Sequence, residues 1–227
     1  MSVPPSISCR PFLTFLQKKN RSLSDRSSAI GCLAEIIAGM KSAVTPSTEP
    51  LLELFYQALG DPDAEAQSNA AFAVGQLVEN TILDLSPQYL HLLQALLPLF
   101  AVKPDAPSAK LNAKDNAAGA VGRLIIRNTE AIPLGQVLPV FVDALPLKND
   151  YLENRPVFHA IFHLFKTNST ALFPFIDRLL QVFGHVLDPS QPDQVGDEIR
   201  AQLIQLIVAL NAEDPAKVQA SGLAVYL

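Results

Sequence analysis

A chain of 227 residues with 49% apolar and only 7% aromatic residues can bury one or two cores built of Leu, Ala, Val and Ile. Its net charge of −5 leaves no electrostatic footprint for nucleic acid, which needs a basic stripe. Two cysteines, Cys9 and Cys32, supply neither a disulfide framework nor a metal-ligand set and point to a reducing, intracellular compartment.

The opening "MSVPPSISCRPF" lacks an apolar h-region and is not a secretory signal. Residues 1–11 stand outside the pattern that follows, and residues 12–227 read as one repeat array. "PFLTFLQKK" is the remnant of a first helix, followed at residues 18–21 by "KKNR", the only dense basic run. "DRSSAIGCLAEI" then starts a helix at Asp25. "TEPLLELFYQAL" places Leu52, Phe55, Tyr56 and Leu59 at helical spacing. It stops at "GDPDAE", where Asp61 or Asp63 caps the next helix.

That next helix contains "SNAAFAVGQL", and "DNAAGAVGRL" repeats it further on. Asn69 and Asn116 are 47 residues apart, as are Gly75 and Gly122, and Leu77 and Leu124. Asp25, Gly31 and Leu33 fit the same phase upstream. Ala160, Ile161 and Leu164 fit downstream, and Leu206 again beyond them. A period in the forties marks a repeat array, and the helical spacing within each copy makes it a stack of helical pairs. Each of these helices has an apolar partner before it: "QYLHLLQALLPLF", "QVLPVFVDALPL" and "LFPFIDRLLQVFGHVL" for the later ones. No period-two run and no Asn-Gly hairpin signals a strand.

The expected architecture is all-α, a solenoid of about five antiparallel pairs closed by a terminal capping helix near "DPAKVQASGLAVYL". Gly75 and Gly122 are expected at close helix contacts, since a helical Gly costs about 1 kcal/mol against Ala. Pro98 and Pro139 are expected to kink or break their helices. The stretch 101–114 reads as a loop. Residues 85–102 form an uncharged run, but Ser86, Pro87, His91, Gln94 and Pro98 mark a repeat helix rather than a membrane span.

Chemistry-bearing motifs are few. His159 and His163 stand at i, i+4 with no Glu between them and no third ligand nearby, so they read as helix-surface or groove residues, and no metal is expected. Arg123 and Arg127, also i, i+4, reach acidic neighbours or solvent in preference to a bound anion. No Ser/His/Asp or Cys/His arrangement supports an enzyme, and no cofactor is implied. The sharper feature is a ladder at the starts of the second helices. Asp25, Asn69 and Asn116 each lie six residues before a glycine anchor, with Glu65 and Asp115 flanking and Glu153 and Asn154 in the fourth repeat. First turns favour such residues through capping and the helix dipole. Stacked repeats would also align them into one acidic, amide-rich row.

At "SDRSSAIGCLAEII", "EAQSNAAFAVGQLVE", "KDNAAGAVGRL" and "DALPLKNDYLEN" the sequence resembles the carboxy-terminal HEAT repeats of importin-β-type (karyopherin-β) nuclear transport receptors, nearest to the importin-four subfamily and its fungal counterpart. The resemblance implies a HEAT-repeat α-solenoid, a right-handed superhelix of helix pairs forming part of a longer receptor. It implies that basic, lysine-rich cargo such as histones and ribosomal proteins binds on the concave face at Asp25, Glu65, Asn69, Asn116 and Glu153. Asn154 departs from a paired-acid pattern beside Glu153. Ran and nucleoporins are implied partners of the full-length receptor, with Ran recognised chiefly by amino-terminal repeats. The resemblance further implies shuttling between cytoplasm and nucleus, with neither nucleic acid nor membrane as partner. The alternative is a HEAT scaffold that organises a protein complex without reading basic peptides.

Overall fold

The structure, a computed structural model, describes residues 22–227. The first-helix remnant, the "KKNR" run and the non-repeat segment at 1–11 lie outside the described residues. Among those described there is no strand. Ten α-helices follow in order: α1 Leu23–Met40, α2 Thr48–Leu59, α3 Ala64–Asn80, α4 Tyr89–Leu96, α5 Ser108–Arg127, α6 Leu134–Asp143, α7 Asn154–Thr167, α8 Ile176–Leu187, α9 Gly196–Glu213 and α10 Pro215–Ala220. The long inner helices α1, α3, α5 and α7 pack side by side in sequence order, with α9 in lighter contact at the end. The shorter helices α2, α4, α6 and α8 precede them as partners. One continuous apolar core runs from Ile30 to Leu223. This is the expected all-α HEAT solenoid.

Local sequence explains the boundaries. Ser22 and Asp25 form a reciprocal capping box on α1, and Asp63 caps α3 by accepting from the Glu65 N–H at 3.1 Å. Asp61, the other capping candidate, instead receives Arg26 from α1 at 3.2 and 3.3 Å. Pro98 ends α4, which tightens into a 3₁₀ turn at Leu97–Phe100. Pro139 behaves differently: α6 continues through it. The only carbonyl it orphans is that of Gly135, an exposed residue in the first turn, so water can replace the lost bond. The loop at 101–114 is shorter than expected, because α5 begins at Ser108 directly after Pro107. Ala109, Lys110, Leu111, Ala113 and Lys114 favour helix and extend it.

The uncharged run at 85–102 forms a 3₁₀ turn, α4 and a second 3₁₀ turn, burying Tyr89, Leu92, Leu96 and Leu99. The stretch Leu23–Leu59 has the length and hydropathy of a membrane span. It is, however, two helices separated by a 3₁₀ segment containing Pro46. At the far end α10 and a 3₁₀ turn at Leu223–Tyr226 close the stack. Asp214 caps α10, Lys217 pairs with Asp177 of α8, and the Tyr226 hydroxyl donates to the Leu187 carbonyl at 2.8 Å.

The glycines explain how closely the inner helices approach. A Cβ on Gly122 would sit 2.8 Å from the Pro156 carbonyl oxygen of α7. One on Gly75 would lie 3.3 Å from the Ala120 Cα of α5. Both glycines stand at tight interhelix contacts, among Ala70, Ala71, Ala73, Ala117, Ala118 and Ala120, all buried.

Candidate functional site: the groove across the inner helices

The four inner helices leave an open groove on the side away from their partners. Its first half, about 790 Å³, lies toward their amino-terminal ends. It is lined by Gly31, Cys32 and Glu35 of α1, Asn69 and Phe72 of α3, Asn116 of α5, and Asp150, Leu152 and Glu153 of the turn before α7. The second half, about 700 Å³, lies toward the carboxy-terminal ends of α1, α3 and α5 and the first turns of α7, and is bordered by Lys41, Gln76, Glu79, Arg123, Arg127, Arg155 and His159. Leu152 lines both halves and is 86% exposed, an uncovered apolar ridge between them.

The structure brings Asn69, Asn116 and Glu153 into this groove, while Asp25 and Glu65 are exposed in the first turns of α1 and α3 outside its lining. Asp25 is occupied by its capping role, accepting from the Ser22 N–H at 3.3 Å. The asparagines are rungs between repeats. Asn69 donates both amide hydrogens to Ser27, reaching its carbonyl and its hydroxyl oxygen at 2.9 Å each. Gly31 makes room for this amide: a Cβ there would lie 3.3 Å from Asn69 Nδ2. Asn116 donates to the Ser68 hydroxyl at 3.0 Å, and its buried carbonyl oxygen has no donor. Asn154 donates to the Gln194 carbonyl at 2.9 Å and is buried. Asn69 therefore offers a ligand only its carbonyl oxygen, not the donor-plus-acceptor pair that its residue type allows.

Glu153 requires a correction. It is 2% exposed, and its carboxylate takes a fork of two bonds from Arg123: Nη1 to Oε2, and Nη2 to Oε1 at 3.1 Å. Arg123 Nε reaches Glu79 at 2.8 Å. Burial pushes the Glu153 carboxyl above its ordinary range, and the guanidinium pulls it back. Burial likewise opposes the Arg123 charge, but Glu153 and Glu79 outweigh it and hold the guanidinium charged. Glu153 thus meets its counter-charge inside the protein and is not open to a ligand ammonium. The unpaired carboxylates that line the first half are Glu35, which is exposed, and Asp150, which is half-buried.

Motif reading passed over Gly119, Ser27 and Ser68, which support the site. Gly119 leaves space for Glu153, since a Cβ there would fall 1.5 Å from Oε2. Its glycine in "DNAAGAVGRL" has no counterpart in "SNAAFAVGQL", and that mismatch between the copies was the clue. Asp115, 1% exposed, accepts the backbone N–H groups of Lys148, Asn149 and Asp150 at 2.7 to 3.2 Å and so fixes the turn that carries Asp150. Burial pushes its carboxyl up, against the pull of those three donors. Ser27 and Ser68 hold the two amides. The paired histidines separate: His163 Nε2 meets the Thr129 hydroxyl at 2.9 Å, while His159 lies 3.8 Å from Glu198. Among the described residues no group of three or more metal-ligating side chains comes together. Arg127 donates to the Thr81 carbonyl at 3.1 Å.

Sequence comparison identifies relatives for this arrangement. A probable importin subunit beta-4 of Schizosaccharomyces pombe is 40% identical over 184 residues, covering 81% of this chain. The chain is therefore a homologue of the importin-β family. Importin-4 of Homo sapiens is 26% identical over 211 residues, and that of Mus musculus 28% identical over 200. The chain spans 17 to 19% of the length of these importins. No protein-family model matches it.

Proposed function

We propose that the chain is the cargo-holding part of an importin-β-type nuclear transport receptor, taking basic, lysine-rich segments into the inner-helix groove. The observation that carries this reading is the first half of the groove. Its polar lining is dominated by acceptors, the carboxylates of Glu35 and Asp150 and the Asn69 carbonyl oxygen, with the Ser28 hydroxyl and the Cys32 thiol the neutral exceptions, beside the apolar faces of Phe72 and Leu152. Such a slot suits the lysine side chain, whose aliphatic stem lies on apolar surface while its ammonium donates three hydrogen bonds. The reading takes as partners nuclear cargo of basic character, histones and ribosomal proteins, with Ran and nucleoporins engaging the complete receptor; the kinship with importins supports the nuclear-transport part of it. Shuttling between cytoplasm and nucleus follows from the same reading, as does a role in binding rather than catalysis. Asp25 and Glu65 then act at the rim, Asn69 and Asn116 as the floor, and Glu153 as the buried support of that floor.

The test is a fluorescence-anisotropy titration of a lysine-rich peptide against wild type, Glu35→Ala and Asp150→Ala, at low and high salt. Weaker binding to both variants, and to wild type as salt rises, is the expected outcome. Acetylation of the peptide lysines should abolish most of the affinity by removing their charge. If the three proteins bind alike, or none binds at low salt, a scaffold that does not read basic peptides takes the place of this reading.

A further inference from the structure

The groove is not uniformly acidic. Its first half carries the carboxylates of Glu35, Asp150 and the already paired Glu153, and no cation. Its second half, which Glu35 also borders where the two halves meet, carries Lys41, Arg127 and Arg155, all exposed, besides the internally neutralised cluster of Arg123 with Glu79 and Glu153. Among the described residues Lys41 and Arg155 make no ion pair, and Arg127 spends one donor on a neutral carbonyl. Each half is contributed by α1, α3, α5 and the entry to α7, the first half by the turn before that helix and the second also by its first turns, so the two signs form rows that cross the same helices. Along α1 to its C-cap, the step from Glu35 of the acidic row to Lys41 of the cationic row is six residues. At about 1.5 Å per residue this sets the rows roughly 9 Å apart. The exposed Leu152 lies between them.

We infer that the ligand is a mixed-charge extended segment, with basic residues turned to the Glu35–Asp150 row and acidic side chains of the same peptide turned to the Lys41–Arg155 row. An extended chain lying along the groove projects successive side chains to opposite sides. A carboxylate therefore reaches the cationic row only when it stands an odd number of positions from a lysine that reaches the acidic row. At an even offset it faces the carboxylates of Glu35 and Asp150 and is repelled. This inference rests on the proposed cargo site and adds a rule for what that site selects.

Two peptides of identical composition and net charge test it, one with glutamates at odd offsets from the lysines and one with them at even offsets. A third peptide carries glutamine at the same places. The odd-offset peptide should bind wild type about two- to fivefold more tightly than its even-offset isomer, the range given by one or two exposed ion pairs. Arg155→Gln, at an exposed and unpaired position, should erase that preference by bringing the odd-offset peptide down to the affinity of its even-offset isomer. Lys41→Gln should reduce the preference in the same direction. Equal binding of the two isomers to wild type, with the glutamine peptide bound, overturns the inference and leaves the cargo reading standing. A preference that persists undiminished in Arg155→Gln overturns it as well. Failure of all three peptides to bind overturns both.

Discussion

The inner helices do not pack alike along the stack. Between α3 and α5 the contact is made of Ala and Gly, the axes come close, and polar side chains are threaded through it: Asn116 to Ser68, and Arg123 to Glu79. Between α7 and α9 the contact is sparse, and α9 buries only Ile199, Leu203 and Ile207. Next to it Phe158 of α7 meets Phe183 of α8 with ring centroids 6.2 Å apart. Small residues permit close approach but bury little area each, so register at the first contact comes from directional polar bonds. Large residues bury more area per residue and tolerate looser geometry. The groove lies over the first kind of contact, where position is most tightly fixed.

Substitutions break this contrast in graded ways. Arg123→Ala should have the largest effect, about 3–5 kcal/mol, because it leaves Glu153 buried without a counter-charge. Denaturant unfolding measures it, and a Glu153→Gln background should blunt the loss. Leu203→Ala at the other contact should cost about 3 kcal/mol through the cavity it opens. Because repeats couple mainly to their neighbours, that damage should stay local. Hydrogen exchange should accelerate in α9 and α10 and leave α3 and α5 unchanged; acceleration throughout would show that the two contacts are one cooperative unit. Gly122→Leu should cost about 1–3 kcal/mol by overpacking against the Pro156 backbone. Its unfolding should spread across α5 and α7, and an unchanged melting temperature would deny the close contact. Asn69→Ala should be the mildest, about 1 kcal/mol for its hydrogen bonds to Ser27.

Period and phase were enough to read the repeat architecture, because Asn69 with Asn116, and Gly75 with Gly122, recur at one spacing and the apolar residues within each copy keep a helical rather than a strand period. The reason for the glycines was also legible, since a helical Gly needs a compensating neighbour. What could not be read was the partner of each polar side chain. Glu153 and Arg123 are 30 residues apart, and nothing local distinguishes a carboxylate waiting for a ligand from one already held by a guanidinium. The orientation of the Asn69 amide depended on Ser27, a residue whose type suggests only a surface position. The gathering of cations in the second groove half was hidden for a different reason. Its cations, Lys41, Arg127 and Arg155, are scattered in sequence and align only when four helices lie side by side.

Arg123 reaches back to Glu79 on α3 and forward to Glu153 at the entry to α7, while its own backbone belongs to α5. One side chain thus ties three successive rungs, and it does so among the tight glycine contacts of α5. A stack of helical pairs bends by small rotations between neighbours, and a tie across three of them works as a splint. The molecule should accordingly behave as a rigid plate through α3, α5 and α7, with its compliance gathered at the α7–α9 joint. Pulled from its ends, it should yield first at that joint, and a plate of fixed curvature would present the groove to its ligand at constant width.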